Sequence, residues 1–218
     1  MSKTMRRSPI HSLIAAQGPN WGNLDGAAIA LDYGDLDSER AALTTLGLAD
    51  LSALPKLGLK GPNAASRLQS HQVNVPPETY GRADLPDHGH CVRLGQNEFL
   101  LESGPLAQEI PRLSKSLGPR PDGVARIDRE DATFALTGSR APAVLAQICA
   151  YDFGTAASGK VILSRLATVS GIILPQSKDL YRIWVDPSFA VYLWQVLFRI
   201  VAENGGQIIG ARCFYTQL

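Results

Sequence analysis

The sequence predicts an α+β protein made of two similar lobes from an internal duplication, each with a mainly antiparallel sheet and packed helices. Three observations carry that prediction. An apolar alternation at Leu54, Leu57 and Leu59 runs into Gly61-Pro62-Asn63-Ala64 and turns helical at Ala65 and Leu68, giving a strand, a tight turn and a helix start. The same pattern returns from Asp131 to Gln147, with Phe134, Leu136, Gly138, Ala141, Val144 and Leu145 in matching places, 77 residues on when counted from Gly61 to Gly138. Between the copies, Pro119 to Gly123 reads PRPDG, the composition of a linker.

Residues 1–38 carry Gly, Pro, Asn and acidic residues with few apolar positions in period, and are predicted to be an N-terminal arm that wraps over this chain or a partner. The first lobe spans 39–118. Ser38 is placed to cap a short helix from Glu39 to Leu46, which Gly47 stops. After the Gly61 turn and its helix comes an irregular passage, His71 to Asp87, long enough to be kept for function or partners. Cys91–Leu94 and Glu98–Leu101 form a hairpin, and a helix follows from Leu106 to Leu117.

The linker is 119–123 and the second lobe 124–218. Its strands are predicted at Val124–Ile127, Thr133–Leu136, Val161–Val169, Ile172–Leu174 and Leu180–Val185, with a helix over Ala141–Cys149. Pro187 opens the longest helix, Ser188 to Asn204, which Gly205-Gly206 closes before a last strand at Gln207–Ile209. That helix is apolar on more than one side, through Phe189, Tyr192, Leu193, Trp194, Val196, Leu197, Phe198 and Ile200. It is either packed centrally or a partner interface.

A net charge of +1 provides no field that would draw nucleic acid or an anionic membrane, and neither is expected as a partner. The basic cluster Lys3, Arg6 and Arg7 is read as solvated. His11 and Ser12 interrupt the short apolar run after it, which argues against a secretion signal. The longest apolar region, Phe189 to Ala202, is too short to span a membrane. Three distant cysteines, Cys91, Cys149 and Cys213, with no C-x-x-C pair, are read as reduced buried thiols, so a cytoplasmic location is expected.

Motifs for catalysis are sparse. Ser70-His71 lacks a nucleophile elbow, and His88-Gly89-His90-Cys91 splits its side chains over two strand faces, which makes a poor metal site; no metal is expected. Gly61-Pro62-Asn63 and Gly138-Ser139-Arg140 precede helices but match neither dinucleotide nor Walker patterns, so both are read as structural turns.

Gly47-Leu48-Ala49-Asp50-Leu51-Ser52 followed by Leu57-Gly58-Leu59-Lys60-Gly61-Pro62-Asn63-Ala64 resembles the opening of the folate-binding aminomethyltransferase family, the T protein of glycine cleavage. Asn97 to Leu101, Ala135 to Ala141, Ser164-Arg165, Tyr181 to Val185 and Gly210-Ala211-Arg212-Cys213 fall in the family's order. The full-length transferases continue into a barrel-like third domain beyond that last segment. Among short relatives, Arg182 to Trp194 resembles a signature of the gamma subunit of heterotetrameric sarcosine oxidase and related N-methyl amino acid dehydrogenases.

The resemblance implies the fold of the transferases' first two domains. It also exposes two departures. Asp84 to Val92, DLPDHGHCV, has no carboxylate at the strand position where the transferases hold an aspartate near the folate, with Asp87 out of register. Thr168 to Leu174, TVSGIIL, lacks their pterin-binding glutamate. Together, the resemblance and its departures imply an accessory, non-catalytic subunit of a sarcosine oxidase-like complex, cytoplasmic and heterotetrameric, in one-carbon and sarcosine catabolism. It would bind no cofactor alone, with FAD, FMN and NAD on larger flavoprotein and folate-binding partners. Its interface residues would be the arm with Phe189, Tyr192, Trp194 and Trp184.

The alternative is a small stand-alone tetrahydrofolate-binding, aminomethyltransferase-like protein. It would use Arg165 or Arg212 for the glutamate tail and Asp87 or His88 for the proton. A folate-binding repair or assembly factor of the same fold would carry a KGCYxGQ segment, which is absent.

Overall fold

The computed structural model describes residues 5–117, 123–155 and 158–218. Most of the expected linker, 119–122, lies outside the described residues. In chain order, helix α1 (His11–Ala15) precedes a hairpin of β1 (Asn20–Leu24) and β2 (Ala27–Asp32), then α2 (Leu36–Thr44) and β3 (Gly47–Asp50). Next come β4 (Lys56–Lys60), α3 (Ala64–Ser70), the strands β5 (Arg82–Leu85), β6 (Gly89–Gly95) and β7 (Glu98–Glu102), α4 (Glu109–Leu117) and β8 (Ala125–Ile127). The remainder is β9 (Ala132–Thr137), α5 (Ala141–Ala146), β10 (Ile162–Leu166), β11 (Val169–Ser177), β12 (Leu180–Val185), α6 (Ala190–Glu203) and β13 (Gln207–Ile208).

The chain divides into two compact units, one of residues 1–53, 131–158 and 162–218, the other of 54–130 and 159–161. The first unit holds a six-stranded sheet in the order β10-β11-β12-β9-β3-β13, antiparallel except for the parallel β3–β13 pair. One face carries Phe134, Leu136, Ile173 and Ile183. It packs on Ile10 and Ile14 of the α1 region, Val144 and Leu145 of α5, and Leu193, Trp194, Leu197 and Val201 of α6. The i, i+4, i+8 spacing of Leu193, Leu197 and Val201 aligns them along one side of α6, each large side chain contributing about 1.5–3 kcal/mol by leaving water. Trp194 adds a tilted ring contact with Phe134, centroids 5.2 Å apart.

The second unit is a five-stranded antiparallel sheet, β5-β6-β7-β4-β8. Leu57, Leu59, Cys91, Phe99 and Leu101 face Leu68 of α3 and Ile110, Leu113 and Leu117 of α4. The duplication is explicit in the topology. Strand–helix–three-strand meander–helix–strand describes β4 to β8 and equally β9 to β13. In both sheets the last meander strand lies beside the first strand, as β7–β4 and β12–β9.

The division differs from the one the sequence predicts. Strand β3 bonds to β9, with Leu48 opposite Leu136, so residues 39–53 join the sheet of the later unit and not the lobe that comes after them. The arm also folds. Ile10 and Ile14 are buried in the first unit's core, and Asp25-Gly26 (φ 47° and 81°) closes the β1–β2 hairpin. The irregular passage contains β5. The single strand expected at Val161–Val169 is two, because Ala167 and Thr168 (φ 47° and 74°) make a two-residue turn after Leu166. The cap of α2 is Asp35, whose carboxylate accepts the Ser38 N–H, and not Ser38.

Candidate functional site

The two glycine turns are closed structures. Gly138 has φ 100°, and a Cβ there would lie 2.3 Å from the Thr45 carbonyl carbon; at Gly61, φ 133°, it would lie 2.4 Å from the Gly123 carbonyl oxygen. The amides entering each helix are already bonded, Asn63 N–H to Gly123 O, and Ser139 and Arg140 N–H to Thr44 and Thr45 O. Backbone carbonyls therefore occupy the position an anion would take.

The Ser164-Arg165 motif lies on an open groove of about 420 Å³ over β10, β11 and β12. Strand register builds its floor: Leu163 stands opposite Ile172, and Ile172 opposite Trp184, so three apolar side chains line up across three strands. Arg165, Ser170 and Asp186 supply polar atoms at the rim. Arg165 donates from Nε to the Thr168 carbonyl at 3.2 Å, which holds the guanidinium beside the Ala167-Thr168 turn. Asp186 accepts from the Ser188 hydroxyl and amide, and these bonds hold its carboxyl below the usual range. An apolar floor with one arginine can take a flat ring carrying an acidic tail. The segment Thr168 to Leu174, TVSGIIL, contains no acid.

The other predicted site residues do not join that groove. Arg212 lies beyond β13, at the opposite edge of the same sheet from β10. Its guanidinium is committed to Asp32 at 2.7 Å and to the Leu218 carbonyl at 3.3 Å. Burial alone would raise the Asp32 carboxyl, yet the hydrogen bonds from Asn20, Gly34 and Arg212, with the charge of Arg212, keep it below the usual value. Asp87 and His88 belong to the second unit, in the β5–β6 turn with φ 55° and 59°. The Asp87 carboxylate accepts the Leu106 N–H at 2.7 Å, a turn-fixing role.

Of the expected interface residues, Trp184 and Trp194 are 1% and 4% exposed and sit inside this chain, whereas Phe189 and Tyr192 are 50% and 47% exposed at the start of α6. Trp194 packs on the helix-covered face of the sheet, whereas Trp184 lies on the opposite face, beside Ile172 on the floor of the groove.

One cluster is not apparent in the sequence pattern. In the second unit, Lys56 pairs across with Glu102, Glu102 with His90, and His90 with Asp84, a titratable row crossing four strands. Glu102 is 1% and His90 4% exposed, and His90 Nδ1 lies 3.8 Å from Asp84 Oδ1, within ion-pair reach. One sign of it is that Glu102 directly follows the continuous apolar run Phe99-Leu100-Leu101, where a charged residue is buried. Neither Cys91 nor Cys213 is set up as a nucleophile, since burial pushes Cys91 up to about 12, and burial with the Glu39 charge pushes Cys213 up to about 11. Among the described residues no group of three or more His, Cys, Asp and Glu is arranged to hold a metal, and no described helix is long and apolar enough to cross a membrane.

This architecture recurs in known proteins. An aminomethyltransferase of Saccharopolyspora erythraea is 27% identical over 95% of this chain and 61% of its own length, and one of Parafrankia sp. is 28% identical over 93% and 60%. Among solved structures, the glycine cleavage system aminomethyltransferase T of Bartonella henselae superposes with a TM-score of 0.71 over 96% of this chain and 61% of that one, at 20% identity. The fold is aminomethyltransferase-like. A chain of heterotetrameric sarcosine oxidase from Corynebacterium sp. U-96 matches with a TM-score of 0.69 at 20% identity, over 93% of this chain and 98% of that one. No family model matches. The chain thus spans about 60% of the aminomethyltransferases it resembles, and the shared portion is the two duplicated units.

Proposed function

We propose that this chain is an accessory subunit of a sarcosine oxidase-like complex that oxidises N-methyl amino acids in tetrahydrofolate-linked one-carbon metabolism, with no reaction centre of its own. The observation that carries the reading is the fold match along nearly the whole of a heterotetrameric sarcosine oxidase chain. Two features agree with it. The groove that holds Arg165 has no acid in its Thr168 to Leu174 segment, and Phe189, Val191 and Tyr192 form an exposed apolar patch at the start of α6. Larger flavin- and folate-carrying subunits in the cytoplasm are the partners the reading requires. FAD, FMN and NAD belong to those partners.

The groove that holds Arg165 favours a second reading, a small tetrahydrofolate-binding, aminomethyltransferase-like protein with Arg165 receiving the acidic tail. Calorimetric titration of the purified chain with tetrahydrofolate separates the two. The accessory reading expects no saturation below about 100 µM. Saturation at about 1–10 µM, lost in Arg165→Ala, would put the second reading ahead.

A further inference from the structure

We propose that the Ala167-Thr168 turn is a strained latch on the β10–β12 groove. Closed, as in this structure, it holds the Arg165 guanidinium at the groove rim; it opens by relaxing out of the left-handed backbone, which sets Arg165 free. The latch is independent of both function readings and needs no ligand to be tested.

The closed turn is a poor fit to its own residues. Leu166 stands opposite Val169 in the β10–β11 ladder, so Ala167 and Thr168 make the whole loop, at φ 47° and 74°. A two-residue hairpin with both residues left-handed favours Asn-Gly or Asp-Gly, because a Cβ crowds the neighbouring carbonyl there, and a β-branched side chain fits worst. The chain supplies its own comparison. Asp25-Gly26 closes the β1–β2 hairpin at nearly the same angles, 47° and 81°, in residues that accept them. Threonine in the place of that glycine brings a relaxed backbone close in free energy to the closed one.

Three contacts oppose the strain. The Ala167 amide donates to Ile148 O at 2.8 Å, the Ala167 methyl packs against the first unit's core, and the Thr168 carbonyl accepts from Arg165 Nε at 3.2 Å. Only the last reaches the groove, which Arg165 lines together with Ser170, its partner across the ladder. With Nε given to the turn, the guanidinium is held by one edge and keeps its two terminal nitrogens for other acceptors. Opening moves the Thr168 carbonyl and removes that hold. Turn and groove are therefore linked: whatever engages the held guanidinium favours the closed turn, and whatever opens the turn loosens Arg165.

The test uses the full chain and amide hydrogen exchange read residue by residue, corrected for intrinsic rates. In the wild type the Val169 amide is expected to exchange at least about tenfold faster than that of Ile183, on β12 between β11 and β9, as a turn that opens by itself requires. Ala167→Asn combined with Thr168→Gly keeps the closed angles without their cost and is expected to slow Val169 about tenfold. Arg165→Ala removes the hold and is expected to speed it about threefold, with the circular dichroism unchanged. Equal rates at Val169 and Ile183 in the wild type would overturn the proposal. So would an unchanged Val169 rate in the Asn-Gly variant, which denies the strain, or in Arg165→Ala, which denies the hold.

Discussion

Replacing Gly138 by alanine is expected to lower stability by about 3–5 kcal/mol and the melting temperature by about 10 °C. Two separate costs add. The backbone at φ 100° is one that an L side chain rarely adopts, worth about 1–2 kcal/mol. The new methyl would also meet the carbonyl of Thr45 at 2.3–2.4 Å and the Leu46 amide nitrogen at 2.7 Å. Those atoms cannot retreat, because Thr44 O and Thr45 O hold the Ser139 and Arg140 amides, and Leu43 O holds the Thr137 hydroxyl. Gly34→Ala is the control: its φ is 99° and nothing lies within 4 Å of a Cβ there, so about 1 kcal/mol is expected. Thermal or urea unfolding that placed the two variants within about 1 kcal/mol of each other would refute the crowding argument.

Glu39→Ala is expected to cost about 3–5 kcal/mol, because this carboxylate is 3% exposed and both oxygens are in use. One accepts the Tyr33 N–H at 2.6 Å and the other the Gly210 N–H at 2.7 Å, tying the end of β2 and the C-terminal segment to α2. Alanine leaves two amides without acceptors. Glu39→Gln keeps one oxygen and turns an NH₂ toward the other amide, so about half the loss is expected. Urea unfolding gives both values, and a loss under about 1 kcal/mol for Glu39→Ala would show that water replaces the carboxylate freely.

How much of this is legible in the sequence depends on how local the cause is. The Gly61 and Gly138 turns, the Cys91–Leu101 hairpin and the apolar spacing of α6 are written in adjacent residues, and the structure holds each of them. Asp25-Gly26 is an equally local hairpin signal, masked by a polar composition around it that points to an unstructured arm. The Ala167-Thr168 turn carries no Gly or Asn and so gives no sign of itself. Pairing of β3 with β9 joins residues far apart in the chain, and no local pattern announces it.

The site divides the same way. A short motif points to Arg165, and the structure gives it a groove. The row of Lys56, Glu102, His90 and Asp84 comes from four strands whose register only the folded sheet fixes, so the local pattern directs attention to the adjacent Asp87 and His88, which serve a turn. Trp184 and Trp194 belong to a stretch whose composition suggests an interface, yet both are buried, and Phe189 and Tyr192 are the exposed ones.

The most direct test of the accessory-subunit claim is mild affinity purification of the tagged chain from the cells that make it, followed by the visible spectrum and subunit composition of what co-elutes. The expected result is a hetero-oligomer with oxidised-flavin absorbance carried by larger subunits, which is released when Phe189→Asp and Tyr192→Asp are combined. Elution of the chain alone, without a flavoprotein, would contradict the claim.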